Sequence, residues 1–133
     1  CYSSVWEEGE VNSGEQIWDK FVKLHPNVFM VLSGHIYEHA YFKKDGNGYL
    51  LSQGVNGNDV HQFLSNYQYM EYGGDGYQRV MIFYPSENRV AIKTYTPYRD
   101  KLLSTPKEEF EISYTMNTCL NGSDDLLDYP VYE

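Results

Sequence analysis

Apolar positions along this chain follow two rhythms, one helical and one of strands. Ile17, Phe21 and Leu24 fall at i, i+4 and i+7, and Trp18 and Val22 widen the same face. Ser13 and Gln16 have capping-box spacing, and Glu15 lies in the first turn, where the helix dipole favours an anion. Pro26 stops the pattern, and His25 before it is placed to satisfy carbonyls at the helix end. The expectation is a helix over 13–25. Directly after it, Val28, Phe29, Met30, Val31 and Leu32 form an apolar run with no alternation. Such a run predicts a strand over 28–32 that is covered on both faces. The short connection predicts that helix and strand pack on each other.

From residue 41 onward the strand rhythm dominates. Runs at 41–44 and 49–53 flank Asp45, Gly46, Asn47 and Gly48, a hairpin turn signal. A calcium loop would need further ligands and a terminal glutamate that are not present, so the turn is preferred. Residues 54–59 form a polar loop, and 61–68 suit a strand or a short helix. Gly73, Gly74, Asp75 and Gly76 read as a loop and not as a phosphate cradle, because no lysine or helix start follows. Two β-rich runs, 79–84 and 89–95, are joined by Pro85, Ser86, Glu87 and Asn88, which suit a turn ending in a left-handed residue. A last strand over 110–114 places Phe110, Ile112 and Tyr114 on one face. Residues 1–12 read as an irregular acidic lead-in and 115–133 as an acidic, weakly ordered tail. No internal repeat is visible.

Composition narrows the function classes. The chain has 133 residues, the size of one domain or a piece of one, and 41% are hydrophobic. Its formal charge is −9, from 19 acidic and 10 basic residues, which disfavours nucleic acid and anionic membranes as partners. No stretch reaches the roughly 18–20 apolar residues of a membrane-spanning helix, and no signal peptide precedes Cys1. A start at Cys1 and not Met is read as a processed, truncated or partial chain. Cys1 and Cys119 lie near opposite ends; a disulfide between them is simpler than two unrelated thiols, and neither has a motif that would make it a nucleophile. Asn121 heads one glycosylation sequon (with Gly122 and Ser123), and Asn117 heads the rarer form with Thr118 and Cys119. Together these favour an exported setting, extracellular or periplasmic.

The candidate chemistry sits where the apolar strand ends. Gly34 and His35 follow it directly, and ligands in buried sheets gather beyond the carboxyl ends of strands. His35 is a candidate metal ligand or acid–base group; the plainer reading is a histidine hydrogen-bonded at a strand end. His61 is read as a structural or surface histidine. Ser33 beside His35 lacks the glycine spacing of a nucleophile elbow. Tyrosines at 67, 69, 72 and 77 cluster round the glycine loop, as either cover for a small sheet or a stacking surface for a ligand or a partner.

The order of motifs adds a further reading. A capped helix leads into an apolar strand ending in Gly34 and His35. Then come Val60-His61-Gln62-Phe63-Leu64-Ser65-Asn66-Tyr67-Gln68, and Gly73-Gly74-Asp75-Gly76-Tyr77 with Arg79. A hairpin ending in Thr94-Tyr95-Thr96-Pro97 follows, and then Phe110-Glu111-Ile112-Ser113-Tyr114. Over residues 13–114 this order resembles the C-terminal part of calcineurin-like metallophosphoesterases, particularly exported bacterial members. The resemblance implies an α+β fold: the C-terminal part of a two-sheet sandwich, with one N-terminal helix and then mostly antiparallel strands. It implies that a complete member holds two divalent metal ions, which polarise a phosphoryl group and activate the attacking water.

Carried over residue by residue, Gly34 and His35 match the first half of the family's last motif, Gly-His-x-His. Tyr37 stands where the second histidine belongs, and a phenol is a poor ligand unless ionised. His39 could serve only if the backbone shifts. The family's Asp-x-His, Gly-Asp and Gly-Asn-His motifs belong upstream of the part matched here; Asp59 and Asp75 fall in loops, and nothing in the family pattern makes them ligands. Two readings follow. In the first, the chain is an incomplete metallophosphoesterase-like domain, not catalytic and without metals by itself, whose partner is a missing N-terminal half. In the second, it is an exported, non-catalytic structural or interaction module. Such a module could be glycosylated and could pair with another copy of itself through open strand edges.

Overall fold

The computed structural model describes residues 12–35, 47–68 and 70–116. The expected helix forms as α1 (Gly14–Lys20), followed by a 3-10 turn, Val22–Leu24. Ser13 closes the expected capping box: its Oγ accepts from Gln16 N at 3.2 Å, and Gln16 Oε1 accepts from Ser13 N at 2.9 Å. Seven strands follow: β1 (Met30–Ser33), β2 (Gly48–Gln53), β3 (Asp59–Leu64), β4 (Gln78–Tyr84), β5 (Arg89–Thr96), β6 (Lys101–Leu103) and β7 (Phe110–Ser113). The fold is α+β, with one N-terminal helix and two mostly antiparallel sheets. The first sheet has the order β1-β3-β2, with β1 parallel and β2 antiparallel to β3. In the second, β4 pairs with one side of β5, while β6 and β7 share the other.

The sheets meet through their inner faces. Phe63 of β3 joins Val90 and Ile92 of β5 and Ile112 of β7 in a buried cluster, flanked by Met30, Met81, Phe110 and Met116. Ring contacts extend it: Phe63 and Phe110 lie 6.2 Å apart, Tyr49 and Phe110 5.4 Å, and Phe29 and Tyr114 stack at 4.2 Å. β5 is central because both its edges are paired and most of its side chains are buried, including Thr94 and Thr96. The β4–β5 turn ends at Asn88 with φ 50°, the left-handed residue expected there.

Several expectations are corrected. The strand over 28–32 begins at Met30 and is not covered on both faces. Leu32 pairs in register with Phe63, so both side chains point to the inner face. Yet Phe63 is 2% exposed and Leu32 64%. The second sheet covers β3 and stops short of the end of β1. Nor does α1 bury a face on β1: none of its residues is buried, and Ile17, Phe21 and Leu24 are exposed. What holds the helical segment is the 3-10 turn, through buried Val22 and a bond from Val55 N to Lys23 O of 2.8 Å. Of the ambiguous run 61–68, residues 61–64 are strand, the end of β3. The glycine loop contains a four-residue helical turn, Glu71–Gly74, with Tyr72 and Gly73 left-handed. β6 was not expected, since three residues carry too little alternation to read. Of the hairpin expected about Asp45, the arm 41–44 lies outside the described residues, and the observed antiparallel partner of β2 is β3. Ordered contacts reach Met116, whose N–H donates to Asn88 Oδ1 at 2.8 Å.

The in-register pair gives a direct test. Phe63→Ala should cost about 3–5 kcal/mol in denaturant unfolding, whereas Leu32→Ala in the same chain should stay within about 0.5 kcal/mol. Equal losses would show that β1 is covered in solution.

Candidate functional site

His35 stands just beyond the carboxyl end of β1, as its sequence position implied. Two bonds pin this end: Ser33 Oγ to Phe63 O at 3.0 Å, and Ser65 N to Ser33 O at 2.9 Å. A side chain at Gly34 would bring its Cβ to 3.2 Å from Ser65 O, which explains a glycine at this close approach. His35 itself takes φ 67°, uncommon for a non-glycine residue, and its Nδ1 lies 3.4 Å from Gln68 Nε2. Among the described residues no group of three or more His, Cys, Asp or Glu is placed to hold a metal ion. These residues by themselves do not fit a two-metal centre. Tyr37, His39, Cys1, Cys119, Asn117 and Asn121 lie outside the described residues. His25 does what its position suggested: its Nδ1 is 2.7 Å from Phe21 O.

His61 is open in the sequence to two readings, structural or surface, and burial selects the first. It lies on the inner face of β3 and is 3% exposed, so it is not a surface residue. Its backbone N–H donates to Phe29 O at 2.8 Å. The ring Nδ1 is 2.9 Å from the Tyr49 hydroxyl, and Nε2 is buried without a hydrogen-bond partner. Burial lowers the His61 pKa, opposed in part by the Asp59 carboxylate. Burial first, and then Asp59, raise that of Tyr49. Both groups are therefore held neutral. The signal was in the pattern: His61 and Phe63 alternate with polar Gln62, which places the histidine on the core face.

A second polar cluster is buried between the sheets. Glu108 Oε1 accepts from Asn47 Nδ2 at 2.6 Å, and Oε2 accepts from Thr94 Oγ1 at 2.6 Å and Arg79 Nη2 at 2.8 Å. The Arg79 and Glu108 side chains are 5% and 11% exposed. Asn47 Oδ1 accepts from Asn66 N at 2.9 Å, and the Tyr67 hydroxyl lies 3.1 Å from Thr94 Oγ1. The cluster ties the two sheets together, although Arg79 Nε and Nη1 and Asn66 Nδ2 are buried in it without a hydrogen-bond partner.

The tyrosines round the glycine loop divide. Tyr67 reaches Thr94, and its ring centroid is 6.0 Å from that of Tyr77. Tyr72 instead projects into solvent, 83% exposed, with Tyr98 at 79%. Arg99 lies between them, 5.7 and 5.5 Å from the two ring centroids, and is held by both Asp75 oxygens at 2.8 and 2.9 Å. Tyr69 lies outside the described residues.

No family model matches the chain, and no solved structure matches it. Among curated proteins it is similar to YvnB, an uncharacterized protein of Bacillus subtilis (strain 168). The two are 44% identical over 91 residues, which is 66% of this chain. The chain spans about 7% of the length of that relative.

The buried histidine makes stability depend on pH. His61 has a folded pKa below its ordinary 6.5. The unfolded chain therefore binds more protons as pH falls through about 6.5. The contribution is complete above that value and is lost on acidification toward the lower folded pKa. Thermal melts from about pH 8 to pH 5 should show wild type losing Tm relative to His61→Gln on the acid side. A Tm difference flat across this range would refute a buried neutral His61.

Proposed function

We propose that this chain forms the C-terminal part of a metallophosphoesterase-like domain whose complete protein hydrolyses phosphate esters with two divalent metal ions. In this reading His35 supplies one metal ligand, and the other ligands come from outside the described residues. The observation that supports it most is the state of β1. This strand has a pairing partner on one side only among the described residues. Its inner-face Leu32 lies bare, and His35 follows at the same uncovered corner. An open parallel edge next to an apolar shelf suits further strands and a covering layer from the remainder of the domain. The much greater length of the Bacillus relative agrees with this reading. The cysteines and sequons support an exported protein, extracellular or periplasmic, and the acidic balance is compatible with metal cations and disfavours nucleic acid or anionic membrane as partners.

The exposed Tyr72 and Tyr98 favour a second reading, a non-catalytic exported module that pairs with another copy of itself. One set of measurements separates the two. The 133-residue chain and the complete protein are compared for bound metal and for turnover of bis(p-nitrophenyl) phosphate. The first reading expects no turnover by the chain, turnover by the complete protein, and a loss of about a hundredfold in kcat/KM for His35→Ala. A complete protein without metal or turnover, or one indifferent to His35→Ala, supports the second reading and sinks the first.

A further inference from the structure

At the opposite end of β1 from His35, a cleft of about 440 Å³ opens between the sheets. The strand rise puts Phe29 and His35 on the order of 20 Å apart, so this is a separate place. His61 lines the cleft, together with Phe29, Tyr114, Asp59, Asn88 and Ser113. Phe29 and Tyr114 stack on each other to form an aromatic wall, and the Tyr114 ring meets His61 edge-on at 6.3 Å.

Two features ask for a ligand. His61 Nε2 is a buried polar atom with no partner, in a residue whose other nitrogen is already engaged by Tyr49. Such an atom costs free energy until something bonds it. The lining also joins an aromatic wall to polar side chains, the composition of a small-molecule site.

The chemistry of the lining selects the ligand class. It contains no lysine or arginine, and its acid is Asp59, so an anion such as phosphate finds no counter-charge. One imidazole nitrogen and one carboxylate are too few donors for a structural metal. A cationic amine would suit Asp59 and the rings. It would satisfy Nε2 only in the tautomer that leaves Nε2 unprotonated. A hydroxyl both donates and accepts, so it satisfies Nε2 in either tautomer, and further hydroxyls can donate to Asp59. The apolar face of a sugar ring suits an aromatic wall.

We propose that this cleft binds a neutral polyhydroxylated ligand of the carbohydrate class, with one hydroxyl on His61 Nε2, another on Asp59, and a ring face against Tyr114. The site needs neither His35 nor metal.

The test uses the full 133-residue chain with nitrogen-15 histidine, titrated with glucose, N-acetylglucosamine and cellobiose while the His61 ring resonances are followed. At least one sugar should move them saturably. His61→Phe, which keeps an aromatic ring and removes the nitrogen, should weaken that sugar about tenfold. Should His61→Phe fail to fold, the exposed Asp59→Asn carries the test, with an expected weakening of about threefold. The proposal is overturned by any of three results: no saturable shift with the three sugars, Asp59→Asn binding as tightly as wild type, or inorganic phosphate or ethylammonium moving His61 more than the sugars do. The phosphoesterase reading is untouched by each of these, since its assay reads a different end of β1.

Discussion

The arrangement of the two sheets depends on one buried carboxylate. Glu108 accepts hydrogen bonds from Asn47 at the start of β2, Arg79 on β4 and Thr94 on β5. An ionised group taken out of water loses several kcal/mol of hydration and is retained only where its partners are well placed. Apolar contacts such as Phe63 against Ile92 draw the sheets together without fixing how they meet. The three bonds to Glu108 are directional, and they join residues far apart in sequence. Asn47 passes the constraint on to Asn66 through its own oxygen, so the segment after β3 is fixed by the same group.

That constraint sets what the two ends of β1 can do. Near Phe29 the second sheet faces the first across the cleft, and His61 lies in its wall, edge-on to Tyr114 and held neutral by burial. Near His35 none of the described residues covers the inner face, and Leu32 is exposed. The same strand thus offers a shaped cleft at one end and, among the described residues, an unpaired edge at the other. The two histidines differ accordingly, one desolvated with a single orphan nitrogen and the other exposed on a left-handed residue.

Much of this was legible in the sequence. Ser13 with Gln16 announced the helix start, and Pro85 with Asn88 announced the tightest turn; both signals are local, and both hold. The alternation of Val90 with Ile92, and of Phe110 with Ile112, located the core strands. What failed was inference across distance. The unbroken apolar run at 28–32 reads the same whether a strand is central or at an edge. Its cover depends on where the other sheet ends, and no local pattern encodes that. The apolar face of α1 predicted a partner surface that the described residues do not supply. Glu108 and Arg79 look like ordinary surface charges in a row of letters, since a buried ion pair is made by residues 29 positions apart. For His61 the sequence left a structural and a surface position open, and burial among rings selects the structural one.

The strand order β1-β3-β2 also dictates a sequence of events. β3 lies between two strands that both precede it in the chain. Among the described residues, β1 has no sheet neighbour until residues 59–64 exist. The β2–β3 hairpin, closed by the short turn at 54–58, brings near neighbours together, whereas β1 must span the whole segment from 34 to 58 to dock. Loop closure therefore favours the hairpin over the β1–β3 pairing as the earlier contact. The strand that carries the metal-ligand candidate thus docks across the longer loop of the two that build its sheet.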